Sequence, residues 1–103
     1  MEKWAVYKLF FKAMCNNTRL RIIRLLQKDP LNVTEICKKL GLEQSSCSHA
    51  LRCLVDCGFV EVTRRGKNRI YSLNADTIAP MLRLIDRHSK RYYRHLVKCG
   101  VIK

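Results

Sequence analysis

Arg64, Arg65, Lys67 and Arg69 stand within six residues of one another around a single glycine, Gly66. Four closely spaced cations with no carboxylate among them suit a regular polyanion, and arginine in particular suits phosphate and the minor groove of a duplex. Upstream, Gln44, Ser45, Ser46, Ser48, His49 and Arg52 form a second group. At helical spacing these side chains project from one side of a helix, opposite Cys47, Leu51 and Leu54. Glutamine and arginine can make paired hydrogen bonds to adenine and guanine edges, and serine and histidine add single ones. The chemistry is recognition. Ser48 and His49 are adjacent and so point about a hundred degrees apart on a helix, which rules them out as a nucleophile–base pair. With no glycine-rich phosphate loop and no usefully spaced carboxylate pair, the sequence predicts neither an enzyme nor a bound cofactor.

The bulk charge agrees. Twenty-one Lys and Arg against eight Asp and Glu leave a formal +13 on 103 residues, enough to draw in a polyanion from solution. A hydrophobic fraction of 48% places the chain among folded proteins and predicts one domain over residues 1–103. The N-terminal apolar run Trp4-Ala5-Val6-Tyr7 is broken by Lys8, too soon for a signal-peptide core, and nothing is long enough to span a membrane. The expectation is a cytoplasmic protein that makes no membrane contact. A membrane-surface role is disfavoured on the further ground that the charge peaks on a hairpin and not on a helix face.

These groups need elements to hold them. Residues 2–14 read as an aromatic-rich helix carrying Trp4, Tyr7, Leu9, Phe10, Phe11 and Met14. Asn16 can cap a second helix whose inner face is Leu20, Ile23 and Leu26, ending before Pro30. Leu31-Asn32-Val33 is short and extended. Thr34 is then placed to cap a third helix with Glu35 in its first turn and Ile36, Cys37 and Leu40 buried. Gly41 breaks that helix before a fourth at about residues 44–57, a helix-turn-helix pattern. Gly58 suits a left-handed helix end, with Phe59 packing back. Two β-prone runs, 59–63 and 69–73, flank the basic loop 64–68 as a hairpin, and a last helix runs over about 76–98 with a stripe of Ile78, Met81, Leu82, Ile85, Tyr92 and Leu96. Pro80 falls near its start, where proline is tolerated.

Helix, helix, helix-turn-helix, basic hairpin and long helix make a winged helix-turn-helix of mainly α composition with a small β-hairpin (α+β; α-α-α-α-β-β-α). The chain resembles the ArsR/SmtB family of repressors across about residues 5–95. The resemblance rests on Phe11-Lys12-Ala13-Met14 with Thr18-Arg19-Leu20-Arg21-Ile22-Ile23, on Glu35-Ile36 through Gly41-Leu42, on Gln44-Ser45-Ser46-Cys47-Ser48-His49-Ala50-Leu51, and on Gly58-Phe59-Val60 to Tyr71-Ser72-Leu73. It implies a homodimer through the first and last helices, in agreement with their wide apolar stripes.

That family often senses metals, and its known sites are not intact here. Where arsenic and cadmium sensors carry Cys-Val-Cys on the third helix, this chain reads Asn32-Val33-Thr34. Where zinc sensors carry Asp-x-His and then His and Glu on the last helix, it reads Ala75-Asp76-Thr77 and then His88 and Arg91, so only His88 remains. No metal site is predicted. Cys37, Cys47, Cys53 and Cys57 are expected to pack as small hydrophobes, although Cys53 and Cys57, one turn apart, offer two ligands to a soft metal. Cys15 and Cys99 lie at the ends of the two expected dimer helices, where a disulfide would be either a redox switch or a permanent staple.

The leading expectation is therefore a transcriptional regulator, most naturally a repressor, whose homodimer binds double-stranded DNA at an inverted-repeat operator. The alternatives are a thiol- or metal-responsive sensor of the same fold, and a winged helix used for non-specific nucleic-acid or protein binding.

Overall fold

The computed structural model describes residues 2–102. Its elements in chain order are α1 (Lys3–Met14), α2 (Asn17–Leu26), α3 (Val33–Leu40), α4 (Gln44–Asp56), β1 (Val60–Arg65), β2 (Asn68–Leu73) and α5 (Ile78–Lys98). The expected order holds throughout.

Local chemistry sets most of the boundaries. The Asn16 side chain accepts from the Arg19 amide at 3.0 Å and starts α2 as anticipated. The third helix begins two residues earlier than expected and is capped by Asn32, not Thr34. Asn32 accepts from the Glu35 amide at 2.8 Å while the Glu35 carboxylate accepts from the Asn32 amide at 3.0 Å, a reciprocal pair that satisfies two free donors at once. Thr34 lies inside the helix. Gly41, at φ 65, closes α3 in the left-handed conformation, and the guanidinium of Arg21 donates to the Leu40 carbonyl at 2.7 Å. The second helix stops at Leu26, ahead of Pro30.

The core forms where α2, α3 and α4 cross beneath the hairpin. Ile22, Ile23, Ile36, Cys47, Leu51, Leu54, Phe59 and Val60 are almost fully enclosed. Within α2 the inner face is Ile22, Ile23 and Leu26, with Leu20 turned toward solvent. The expected face began at Leu20, whereas Ile22 takes the inward place, because the helix rolls to put both isoleucines inward. Phe10 meets Phe59 edge-on at 4.9 Å and fastens α1 to the base of the hairpin. Arg19 reinforces that joint, donating to the Ala13 carbonyl at 2.6 Å and to Cys53 Sγ at 3.6 Å.

The strands pair in antiparallel register from Val60 opposite Leu73 to Arg65 opposite Asn68. They run longer than expected. Arg64, Arg65 and Asn68, expected in the loop, belong to the strands, Arg69 is in the second strand as expected, and the turn is the two residues Gly66-Lys67, with Gly66 at φ 61 in the first position. Leu31 adds a short third edge, exchanging backbone hydrogen bonds with Tyr71 at 3.0 and 2.8 Å. Asn74 ties three elements together. Its amide donates to the Gly58 carbonyl at 3.0 Å, and its carbonyl oxygen accepts from the amides of Asp76 and Thr77 at the approach to α5.

Helix α5 contributes Ile78 and Leu82 to the core and then projects away from it, so Leu84, Ile85, Tyr92, Tyr93 and Val97 are exposed. On α1, Trp4, Tyr7, Leu9 and Phe11 are exposed as well, at 59–68%. Apolar surface on this scale marks a surface that another molecule covers. No described helix is long and apolar enough to cross a membrane.

Candidate nucleic-acid interface

Helix α4 is amphipathic in the sense the interface requires. Cys47, Ala50, Leu51 and Leu54 face the core, and Gln44, Ser45, Ser46, Ser48, His49 and Arg52 are all exposed. Ser45, Ser48, His49 and Arg52 lie on the face directly away from the core, at the 100° spacing of a helix. Gln44 and Ser46 sit nearer its edges and are free because they occupy the first turn. Glu43, at the N-cap, makes no side-chain hydrogen bond to that turn. The first amides of α4 are therefore open to solvent, and the positive end of the helix dipole lies among the polar side chains. Such an end accepts a phosphate readily.

Two features of this face escaped the sequence reading. Lys38 and Lys39 are exposed in the last turn of α3, just before the Gly41 break that leads into α4. Their position beside the helix-turn-helix turn was the available signal. Asp56 shares the outer face near the far end of α4, where a carboxylate repels phosphate.

The hairpin follows α4 with only Cys57, Gly58 and Phe59 between. Gly58 takes φ 78, and Phe59 N–H reaches back to the Leu54 carbonyl at 2.9 Å. This closure, with Phe59 buried behind it, anchors the join between helix and hairpin in the core. Arg64, Arg65, Lys67 and Arg69 are all exposed at the tip. Polar helix face and cationic hairpin thus stand on one framework.

A helix also carries dense positive charge, contrary to the expectation that the charge peaks on the hairpin and not on a helix face. The exposed part of α5 carries Arg83, Arg87, Lys90, Arg91, Arg94 and Lys98.

The six thiols divide more unevenly than expected. Cys47 is enclosed, and burial, with Cys37 beside it, pushes its thiol up to about 12. Cys37 and Cys53 are half-buried. Cys57 is exposed, not packed in the core, because it caps the end of α4 beyond the last buried turn. Partial burial and the neighbouring Cys53 raise its pKa, and Arg19 opposes them. Cys15 and Cys99 are exposed C-caps of α1 and α5, and Cys99 Sγ lies 3.5 Å from His95 Nε2.

Residues 16–62, which take in α2, the helix-turn-helix and the start of the hairpin, match the bacterial regulatory protein, arsR family. The chain is 35% identical over 82 residues to the HTH-type transcriptional regulator NmtR of Mycobacterium tuberculosis, covering 80% of this chain and 68% of that protein. The chain belongs to the arsR family. The family member's fold is similar to the crystal structure of M. tuberculosis Rv0081, with a TM-score of 0.84 and 31% identity over 94% of this chain and 99% of that one. It is also similar to the homodimeric winged helix-turn-helix DNA-binding domain of Mb0332 from Mycobacterium bovis, with a TM-score of 0.81, 25% identity, and 89% and 85% coverage. This arsR-family protein is thus a DNA-binding transcriptional regulator of winged helix-turn-helix fold, and not an enzyme.

Proposed function

We propose that the protein represses transcription in the cytoplasm as a homodimer bound to an inverted-repeat operator. Each protomer lays α4 in a major groove, with Gln44, Ser45, Ser46, Ser48, His49 and Arg52 reading base edges. Arg64, Arg65, Lys67 and Arg69 clamp the adjoining backbone or minor groove. The observation that carries this reading is the short, hydrogen-bonded and core-anchored join at Gly58 and Phe59, which ties the polar helix to the hairpin with its four cations. Base readout needs such a fixed register, because a wing free to swing would bind phosphate at any sequence. The exposed apolar faces of α1 and α5 supply the dimer contact, and its two-fold axis sets half-sites about one helical turn apart, roughly 34 Å.

A second reading of the same fold has one specific observation behind it. Cys15 and Cys99 are exposed at the ends of the two helices assigned to the dimer, where a disulfide between them would alter the spacing of the α4 helices.

The test is fluorescence anisotropy with the duplex upstream of the protein's own gene against a shuffled duplex, at several salt concentrations, with and without reductant. A preference on the order of a thousand-fold for the native duplex is expected. Equal affinity for both duplexes, set by salt alone, overturns sequence-specific repression at that site. A change in affinity on reduction that Cys15→Ser and Cys99→Ser both abolish establishes the thiol reading.

A further inference from the structure

Arg83, Arg87, Lys90, Arg91, Arg94 and Lys98 fall on one side of α5 at helical spacing, opposite the stripe of Ile78, Leu82, Ile85 and Leu96. All six are exposed, and none has a carboxylate partner among the described residues. The helix has one acidic residue, Asp86, and it is turned aside to pair with Arg24 on α2 at 2.9 Å. A face that served only solubility would interleave carboxylates with its cations and gain from i, i+4 pairs. Here Arg83–Arg87, Arg87–Arg91, Lys90–Arg94 and Arg94–Lys98 are all like-charged at that spacing, which opposes the helix. The arrangement makes sense with a polyanion against it.

We propose that this face of α5 is a second binding surface for duplex DNA, separate from α4 and the hairpin, which lets an operator-bound protein hold another DNA segment. The spacing fits. From Arg83 to Lys98 the helix rises about 22 Å and carries one cation about every 4.5 Å, a linear charge density of the same order as one phosphate per roughly 3.4 Å of duplex axis on each strand. Four of the six are arginines, whose planar guanidinium pairs with phosphate through two hydrogen bonds. An anionic lipid surface would use the same charge, but a surface-bound helix inserts its apolar side. In α5 that side is committed at Ile78 and Leu82 to the core and further along to the dimer contact proposed above. Duplex DNA needs only the charged side and is present wherever the regulator works.

The inference rests on the proposed operator complex only for its biological setting, and the test separates the two. Beads carrying the operator duplex are loaded with protein, washed, quantified for bound protein, and offered a labelled duplex of unrelated sequence at about 50 mM salt. Wild type should capture the second duplex. The triple variant Arg83→Gln, Arg87→Gln, Arg94→Gln should load the beads equally yet capture at least about a hundredfold less. The matching triple replacement by lysine should retain most of the capture, which separates charge from folding. Three phosphate contacts also predict that the captured signal of wild type, relative to the glutamine variant, falls about forty-fold further between 50 and 200 mM salt.

Loaded wild-type beads that capture nothing overturn the proposal and leave operator binding intact. Equal capture by the glutamine variant overturns it too. So does displacement of the second duplex by phosphatidylserine-containing vesicles at equal anionic charge, which would assign the face to lipid. If the beads do not load, the operator reading fails. The α5 surface is then measured by anisotropy on any duplex, where the glutamine variant must still bind more weakly than the lysine variant.

Discussion

Arg64 and Arg69 face each other directly across the hairpin as register partners, two like charges in opposed strand positions. Directly opposed like charges destabilise a strand pair, while opposite or β-branched partners stabilise it by roughly 0.2–1 kcal/mol. Arg69→Thr should therefore raise the melting temperature slightly, by an amount equivalent to a few tenths of a kcal/mol. The same change should weaken binding to every duplex tested and reduce the salt slope by about one. Thermal unfolding and salt-dependent anisotropy on one preparation check both signs. A variant that gained stability and lost no affinity would remove Arg69 from the interface.

Substitutions on α4 should behave differently. Gln44→Ala and His49→Ala leave the core side of the helix untouched, since both residues are exposed. Gln44→Ala should reduce the preference for operator over shuffled DNA by about 1–3 kcal/mol, the usual range for a paired base contact. Affinity for the shuffled duplex should change little. Titrations of both duplexes at one salt concentration give the ratio directly.

The apolar faces of α1 and α5 predict a dimer that single charges can split. Trp4→Glu and Tyr92→Glu replace exposed side chains and should leave the monomer fold intact. Sedimentation equilibrium should show wild type as a dimer and the double variant as a monomer. Operator affinity should then fall by more than two orders of magnitude, since the half-sites are no longer linked.

Asn74 is expected to set the hairpin's position relative to α4 and α5. Asn74→Ala leaves the Gly58 carbonyl and the amides of Asp76 and Thr77 without their side-chain partner. A loss of about 1–2 kcal/mol in urea unfolding should follow. Specific binding should fall further than non-specific binding, because the wing keeps its charge and loses its register.

Cys47 supplies a pH prediction. Its thiol is raised from an ordinary 9.0 to about 12 in the folded protein, chiefly by burial and then by Cys37. Between those values the unfolded chain loses a proton that the folded chain keeps, so stability falls as pH rises. The contribution is complete below about pH 9 and is lost progressively toward 12. Urea unfolding at pH 8 and pH 10 should show a larger drop for wild type than for Cys47→Val. Under native conditions at pH 8, a thiol reagent should label Cys47 last of the six, after exposed Cys15 and Cys99.

The order of elements, the helix-turn-helix, the hairpin and the polar side of α4 were all determined by sequence, because each has a local cause. Asn16 and Gly58 act on their neighbours through short-range hydrogen bonds and backbone conformation, and periodicity separates Cys47, Leu51 and Leu54 from Ser48, His49 and Arg52. Tertiary packing decided the rest. Whether Leu20 or Ile22 faces inward depends on how α2 rolls against α3 and α4, and whether Cys57 is enclosed depends on where α4 outruns the core. The strands extend through Arg64, Arg65 and Asn68 because cross-strand hydrogen bonds outweigh the local preference of a basic stretch for a loop. The basic side of α5 is written in the sequence at i, i+4, i+7, i+8, i+11 and i+15 from Arg83. That this side is free while the opposite one enters the core at Ile78 and Leu82 follows only from packing, since burial is a property of the assembled fold and not of the segment.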